Sequence, residues 1–303
     1  MRRTAPFFAA ATAAVLMFVI SIAAQKPKPK PAAQTAKPII FAVLSDGTSL
    51  EPIAFVGKKL TVPASGEDSA AKVAAFDKLY YRKGAAYRLI FGGTNAGSVS
   101  VKSFDPKAEC SKNMAEVTTI GAKTPLKGLV MGLATNAPSK STATGYRRKP
   151  TAAEKTEMDA LAKAEFLKHK LTPKALHFQN LTAIDADNDA TPEFVASYWI
   201  DIDKVTRGLL FFIAQKGSGG KYSVAFREYR AIDQSDVMSG DIKNVDEGVY
   251  HELLLDSFDT DGDGTNEIFT YTQSFEGAGF NAYRRSGGKW IKAYEFINYH
   301  CGY

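Results

Sequence analysis

Cysteine and histidine are scarce in this chain, and their scarcity removes several kinds of chemistry at once. Among 303 residues there are two cysteines, Cys110 and Cys301, and four histidines, His169, His177, His251 and His300. The histidines are scattered, without an H-x-x-x-H pair or a Cys/His metal spacing, and read as surface or packing residues. A G-x-S-x-G nucleophile elbow is also missing. Ser218-Gly219-Gly220-Lys221 matches S-x-x-K, yet its S-D-N and K-T-G partners are absent and the run has the composition of a hairpin turn. Gly220-Lys221 lacks the glycine spacing of a phosphate loop. No catalytic constellation is assigned from the sequence, and no organic cofactor.

Excess charge is missing too, once the start of the chain is set apart. The formal net charge is +6. Arg2, Arg3, Lys26, Lys28, Lys30 and Lys37 all precede Pro38, where no acid occurs. Without them 32 basic residues face 32 acidic ones. A neutral body has no electrostatic footprint for nucleic acid, and that partner class is excluded.

The first residues read as a targeting segment. Arg2 and Arg3 precede an apolar run from Phe7 to Ala24, and Ser21-Ile22-Ala23 has the small-x-small form of a cleavage site. A cleaved signal peptide over 1–24 and an uncleaved N-terminal anchor both fit this pattern. Either places the remainder outside the cytoplasm: periplasmic, extracellular or on the outer membrane face. The absence of a nearby cysteine argues against a lipid-anchored lipoprotein. Residues 25–38, with Lys26-Pro27-Lys28-Pro29-Lys30-Pro31, form an extended, charged linker. In an exported chain the two cysteines allow one disulfide across a very long loop, or two unpaired thiols.

The expected fold is mainly β. Residues 39–135 alternate short β-type runs with turns and read as a small barrel or sandwich. The strands expected there include Ile39–Leu44, Leu60–Val62, Tyr87–Phe91, Val117–Ile120 and Leu126–Leu133, with a short helix over Ala70–Leu79. Residues 136–150, rich in Pro, Ser, Thr and basic residues, read as a linker. Thr151-Ala152-Ala153-Glu154 then opens a helix with a capping box, expected to end near Leu171.

The C-terminal half holds an internal repeat carried by two acidic runs, offset by 74 residues (185 to 259). Asp185, Asp187, Asp189 and Glu193 occupy positions 1, 3, 5 and 9 of the first, and Asp259, Asp261, Asp263 and Glu267 those of the second. Each run enters a β-type stretch. Gly219-Gly220-Lys221-Tyr222 is later echoed by Gly287-Gly288-Lys289-Trp290. Each unit therefore reads as a four-stranded antiparallel sheet like a propeller blade.

Carboxylates this dense repel one another unless a hard cation lies among them, and Ca2+ with its six to eight oxygen ligands is the expected ion. Positions 1, 3 and 5 supply carboxylates, Thr191 or Thr265 at position 7 offers a backbone carbonyl, and the glutamate at position 9 closes the shell. Position 6 has to turn sharply. Gly264 suits it, whereas Ala190 in the left-handed region costs about 1–2 kcal/mol. The first loop is therefore expected to be the weaker or more distorted site. An EF-hand would need glutamate at position 12, where Ala196 and Thr270 stand, so that motif is excluded.

Ending the ligand set at position 9 before a strand, with Pro192 at position 8 of the first loop and Asp256-Ser257-Phe258 ahead of the second, resembles the calcium loops of FG-GAP/VCBS repeats. Those are the blades of integrin α-type propellers, and the resemblance covers about 175–303. It implies blade-like sheets with calcium on their connecting loops. The functional expectation is an exported, calcium-binding, non-catalytic binding or scaffolding protein of the cell envelope or extracellular space. Its expected partners are protein or glycan, with no membrane contact beyond an N-terminal anchor. The alternative is an envelope hydrolase with catalysis in 39–135, where Asp46, Glu51, Asp77 and Glu109 supply carboxylates, and the FG-GAP-like half as accessory domain.

Overall fold

The computed structural model describes residues 35–105, 107–121, 126–139 and 145–301. The expected signal or anchor, and the linker up to Gln34, lie outside the described residues. Thr35–Tyr303 forms one compact unit. It is mainly β, as the sequence implies, and holds a closed barrel and two open sheets.

Six strands close the barrel: β1 (Ile39–Leu44), β2 (Ser49–Phe55), β3 (Ala86–Phe91), β4 (Thr94–Ser103), β5 (Ala115–Ile120) and β6 (Gly132–Thr135). Their spatial order is β1-β2-β5-β4-β3-β6, with β6 returning to β1. Every residue of β1 is buried. Ile39, Phe41 and Val43 face the interior, while Ile40, Ala42 and Leu44 pack outward against another sheet. Burial on both faces accounts for a continuous apolar run where a one-sided strand would alternate. Helix α1 (Ala70–Tyr80), capped by Ser69, carries Phe76 and Tyr80 into the interior cluster.

Two expected strands differ in the structure. Leu60–Val62 forms only one bridge, Phe55 to Thr61. The strand expected over Leu126–Leu133 begins at Gly132, because β6 has to pair with β1 and β3 at once. Residues just upstream turn instead, with the Val130 amide donating to the Lys127 carbonyl at 3.0 Å.

The remaining chain builds the two open sheets. The first holds the short β7 (Arg147–Arg148), then β8 (His177–Ile184), β9 (Glu193–Asp201), β10 (Thr206–Lys216) and β11 (Tyr222–Asp233), in the order β11-β10-β9-β8-β7. The second is the meander β12 (Glu252–Phe258), β13 (Glu267–Gln273), β14 (Gly277–Ser286) and β15 (Lys289–Tyr299). Helix α2 (Ala152–Lys168) starts at the expected capping box of Thr151 and Glu154. The repeat is visible in the pairing register. Ile184 faces Glu193 and Thr182 faces Val195, while Phe258 faces Glu267 and Asp256 faces Phe269.

Alternation along the strands stacks these elements in layers. Met158, Ala162 and Phe166 of α2 meet Phe194, Ala196 and Tyr198 on one face of the first sheet. Its other face, with Val195, Phe211 and Ile213, meets Leu254, Ile268 and Tyr283 of the second sheet. The far side of the second sheet, with Leu255, Phe269 and Phe280, packs on the outside of the barrel. The order is thus helix, sheet, sheet, barrel.

Two long-range ties fasten the stack. Asp256, fully buried, accepts hydrogen bonds from the Gly92 and Gly93 amides at 2.9 and 2.8 Å and from Arg147 at 2.7 Å. Arg147 also donates to the carbonyls of Met131 and Leu255. The pair thereby joins barrel, β7 and β12, and the extra hydrogen bonds offset the desolvation of a buried ion pair. A side chain at position 93 would crowd the buried Asn266, since its Cβ would lie 2.7 Å from Asn266 Nδ2, and its φ of 79° favours glycine. The second tie is a disulfide between Cys110 and Cys301, whose Cα atoms are 5.0 Å apart across a separation of 191 residues. Such a bond is compatible with an oxidising compartment. No helix among the described residues is long and apolar enough to cross a membrane.

Candidate metal centre

The two acidic runs connect β8 to β9 and β12 to β13, and they are built alike. Asp185 accepts hydrogen bonds from the Asp189 and Ala190 amides, both at 3.1 Å. Asp259 accepts from Gly262 at 2.6 Å and Gly264 at 3.2 Å. In each loop the amide at position 7 donates to the aspartate at position 5: Thr191 to Asp189 at 2.7 Å and Thr265 to Asp263 at 2.8 Å. In each, the amide at position 2 donates to the glutamate at position 9, Ala186 to Glu193 and Thr260 to Glu267, both at 2.9 Å. Positions 4 and 6 carry positive φ in both: Asn188 58° and Ala190 66°, Gly262 80° and Gly264 94°.

The carboxylates gather differently. Asp185, Asp187 and Glu193 bring one oxygen each within 4.8 Å of the others in the first loop, as do Asp259, Asp261 and Asp263 in the second. Asp189 and Glu267 stand outside these trios. At position 9 the two loops also differ in hydrogen bonding. Thr260 adds its hydroxyl to the grip on Glu267, at 2.6 Å, which Ala186 at the matching place cannot do for Glu193. Thr191 and Thr265 are tied through their amides, as above.

Charge in the loops is only partly answered. Arg285 of β14 pairs with Asp187, and its neighbour Arg284 pairs with Asp261 at 3.2 Å. Even so, Asp187, with a side chain 8% exposed, keeps one buried oxygen, Oδ1, without a partner. Burial pushes Glu193 up to about 7, with the Asp189 and Asp185 charges adding to it against the pull of the Ala186 amide. Burial likewise raises Glu267, the Asp261 charge adding, against the Thr260 hydrogen bonds. Two oxygens on opposite sides of a calcium ion at about 2.4 Å lie about 4.8 Å apart, so either trio has the reach to share one ion.

The loops also touch. The Asn188 side chain donates to the Gly264 carbonyl, and the Asn266 amide donates to the Ala186 carbonyl, both at 2.7 Å. Neither contact was readable in the sequence, and neither was the role of Arg284 and Arg285. The only signal for the contacts was the chemistry of Asn188, a short amide at a tight turn.

Carboxylates of the barrel do not assemble in this way. Asp46 follows β1 and accepts from the Gly128 amide at 2.8 Å. Glu51 is buried against Asn298 and His300, at 2.6 and 2.7 Å. Asp77 is buried in α1 with both oxygens unpartnered, and Glu109 is exposed. The other histidines pack: His169 stacks on Tyr229, His177 on Trp199, and His251 is buried against the Val245 carbonyl. Comparison of the chain with protein families, curated proteins and solved structures returns no match.

Proposed function

We propose that this chain is an exported calcium-binding protein with a non-catalytic binding or scaffolding role, whose two acidic loops each hold one Ca2+ as in FG-GAP/VCBS repeats. The observation that carries the reading is the buried, unpartnered oxygen of Asp187 within a trio of carboxylates of calcium-sharing reach. Asp185, Asp187 and Glu193 hold the first ion, and Asp259, Asp261 and Asp263 the second. Backbone carbonyls, Thr191 and Thr265 among them, and water complete each shell. Asp189 and Glu267 act from the rim, orienting the loop backbone.

The ions work as clamps. Each neutralises a loop that links the first two strands of a meander, and the two loops are hydrogen-bonded to each other. Binding therefore stiffens the junction between the two sheets. The barrel supports a scaffold better than an enzyme, since its interior is filled by Phe41, Phe76, Tyr80, Tyr81 and Tyr87. A protein or glycan partner suits the neutral surface.

Thermal melts in calcium and in chelator, paired with elemental analysis, test the reading. At calcium a hundredfold above Kd the folded state should gain about 2.7 kcal/mol per site. Equal melting temperatures with no bound metal would reject it.

A further inference from the structure

A cleft with a volume of about 500 Å3 lies between the two sheets. It sits at the opposite end of β12 from the second acidic loop. Glu252 lines it and Asp259 opens the loop, roughly 20 Å along a strand that rises about 3.3 Å per residue. Nothing in the metal-binding reading uses this cleft.

Its base is a positioned carboxylate. Glu252 is 8% exposed, and its Oε1 accepts three hydrogen bonds, from Thr270 Oγ1 at 2.5 Å, Tyr283 OH at 2.6 Å and Asn281 Nδ2 at 2.9 Å. Among the described residues no donor reaches Oε2. Three donors on one oxygen fix the side chain and leave the other oxygen to whatever enters. Gly279 keeps the floor open beside it, as the space over that residue holds only Thr272 at 3.7 Å.

The facing sheet supplies the opposite charge. Arg230 of β11 lines the same cleft beside the ring of Tyr250, 5.9 Å away, and forms no ion pair among the described residues. Lys292 and Glu228, also in the lining, are already joined at 2.8 Å. Burial draws the Arg230 guanidinium below its ordinary range while the charge of Glu252 pushes it up. Burial raises the Glu252 carboxyl above its ordinary value against the pull of its three hydrogen bonds. This carboxyl and the Arg230 guanidinium thus stand on opposite walls, neither in an ion pair among the described residues.

A neutral polyol would hydrogen-bond to both groups but would bring charge to neither. A ligand carrying an ammonium and a carboxylate draws the Glu252 carboxyl into its charged form and meets the Arg230 guanidinium at the same time. We propose that this cleft binds a small zwitterion of the amino-acid class, its ammonium on Glu252 and its carboxylate on Arg230. Glu295, the remaining unpaired acid of the lining, favours a second positive charge, so a basic amino acid should bind more tightly than alanine.

Titration calorimetry on the full chain, in calcium and in chelator, tests this with L-lysine, L-alanine and dialanine. N-acetyl-alanine, alaninamide and a neutral trisaccharide are the controls. Saturable binding of lysine and of L-alanine is expected, and blocking either end of alanine should weaken it about tenfold or more, since each end gives up a charge-assisted hydrogen bond. Glu252→Gln should abolish the penalty for acetylation, and Arg230→Gln the penalty for amidation. Arg230 is solvent-exposed along much of its length, although its guanidinium lies against the cleft wall, and near-ultraviolet circular dichroism checks that its variant keeps the fold. If dialanine outbinds L-alanine, the natural ligand is a peptide; the reverse order indicates a free amino acid, and either upholds the proposal. Absence of saturable binding, equal binding of the blocked forms, or tighter binding of the trisaccharide overturns it.

Discussion

At positions 4 and 6 the first loop carries Asn188 and Ala190 where the second carries Gly262 and Gly264, and all four residues hold positive φ. The hydrogen bonds around them also match almost one for one. The conformation is therefore set by what surrounds the loop, namely the carboxylate at position 1 and the register of the flanking strands. Residue preference then decides what that conformation costs. Glycine adopts it freely, asparagine tolerates it, and alanine loses about 1–2 kcal/mol. A second contrast lies at position 9, where Glu267 takes an added hydrogen bond from the Thr260 hydroxyl and stands outside the carboxylate trio, while Glu193 stands within its own. The two sites share a backbone and differ in strain and donor set.

Removing the anchor at position 1 should have the largest effect. Asp259→Ala and Asp185→Ala each delete a candidate ligand together with two backbone hydrogen bonds. Each variant is expected to fall from about two bound ions per chain to about one by elemental analysis, with about 2–4 kcal/mol of stability lost in calcium. Retention of both ions in both variants would break the comparison at its root.

Exchanging the turning residues comes next. Gly264→Ala should cost about 1–2 kcal/mol, purely from backbone strain, because open space surrounds that residue. Ala190→Gly should stabilise by about 0.5–1 kcal/mol, since relief of strain exceeds the added chain entropy. Urea titration without calcium reads both, and shifts of the same sign would show that the loops are not equivalent turns.

A smaller change is expected from Thr260→Ala. Loss of the hydroxyl frees Glu267 to join its aspartates, so calcium at the second site should bind about threefold to tenfold tighter, while the metal-free fold loses about 0.5–1.5 kcal/mol. Calorimetry showing weaker binding would mean that Glu267 acts best where it is.

A last effect, on pH dependence instead of calcium, concerns a carboxylate outside the loops. Burial raises Asp77 to about 6 from the ordinary 3.8. Its protonated form is the one the fold favours, so stability should be full at about pH 4 and fall as pH rises through about 6. Asp77→Asn should flatten that window equally with and without calcium. A calcium-dependent change would show that metal also acts at the barrel.

Much of this was open to reading in one dimension. The offset of the acidic runs, the glycine turns after each third strand and the capping box of α2 all depend on neighbours in sequence, and the structure keeps them. The strain at Ala190 was visible because a Cβ penalises a left-handed turn. Residues acting across layers were hidden. Arg147 lies in a stretch whose composition says linker, yet it is the cation that Asp256 needs. Glu252 and Arg230 come from different sheets with no spacing that relates them. The start of β6 was misplaced because the turn at Lys127-Gly128 reaches further than its composition shows, and pairing with β1 and β3 is a long-range event.

The disulfide makes a covalent ring of everything from Cys110 to Cys301, and that ring contains α2, both meanders and both acidic loops. The exposed hairpin tip Gly217–Lys221 lies on it and offers a protease an accessible target. A single cut there would open the ring without releasing a fragment. The nicked molecule would migrate as one piece until reductant separated it. Resistance to proteolysis under oxidising conditions thus depends less on avoiding the first cleavage than on avoiding the second.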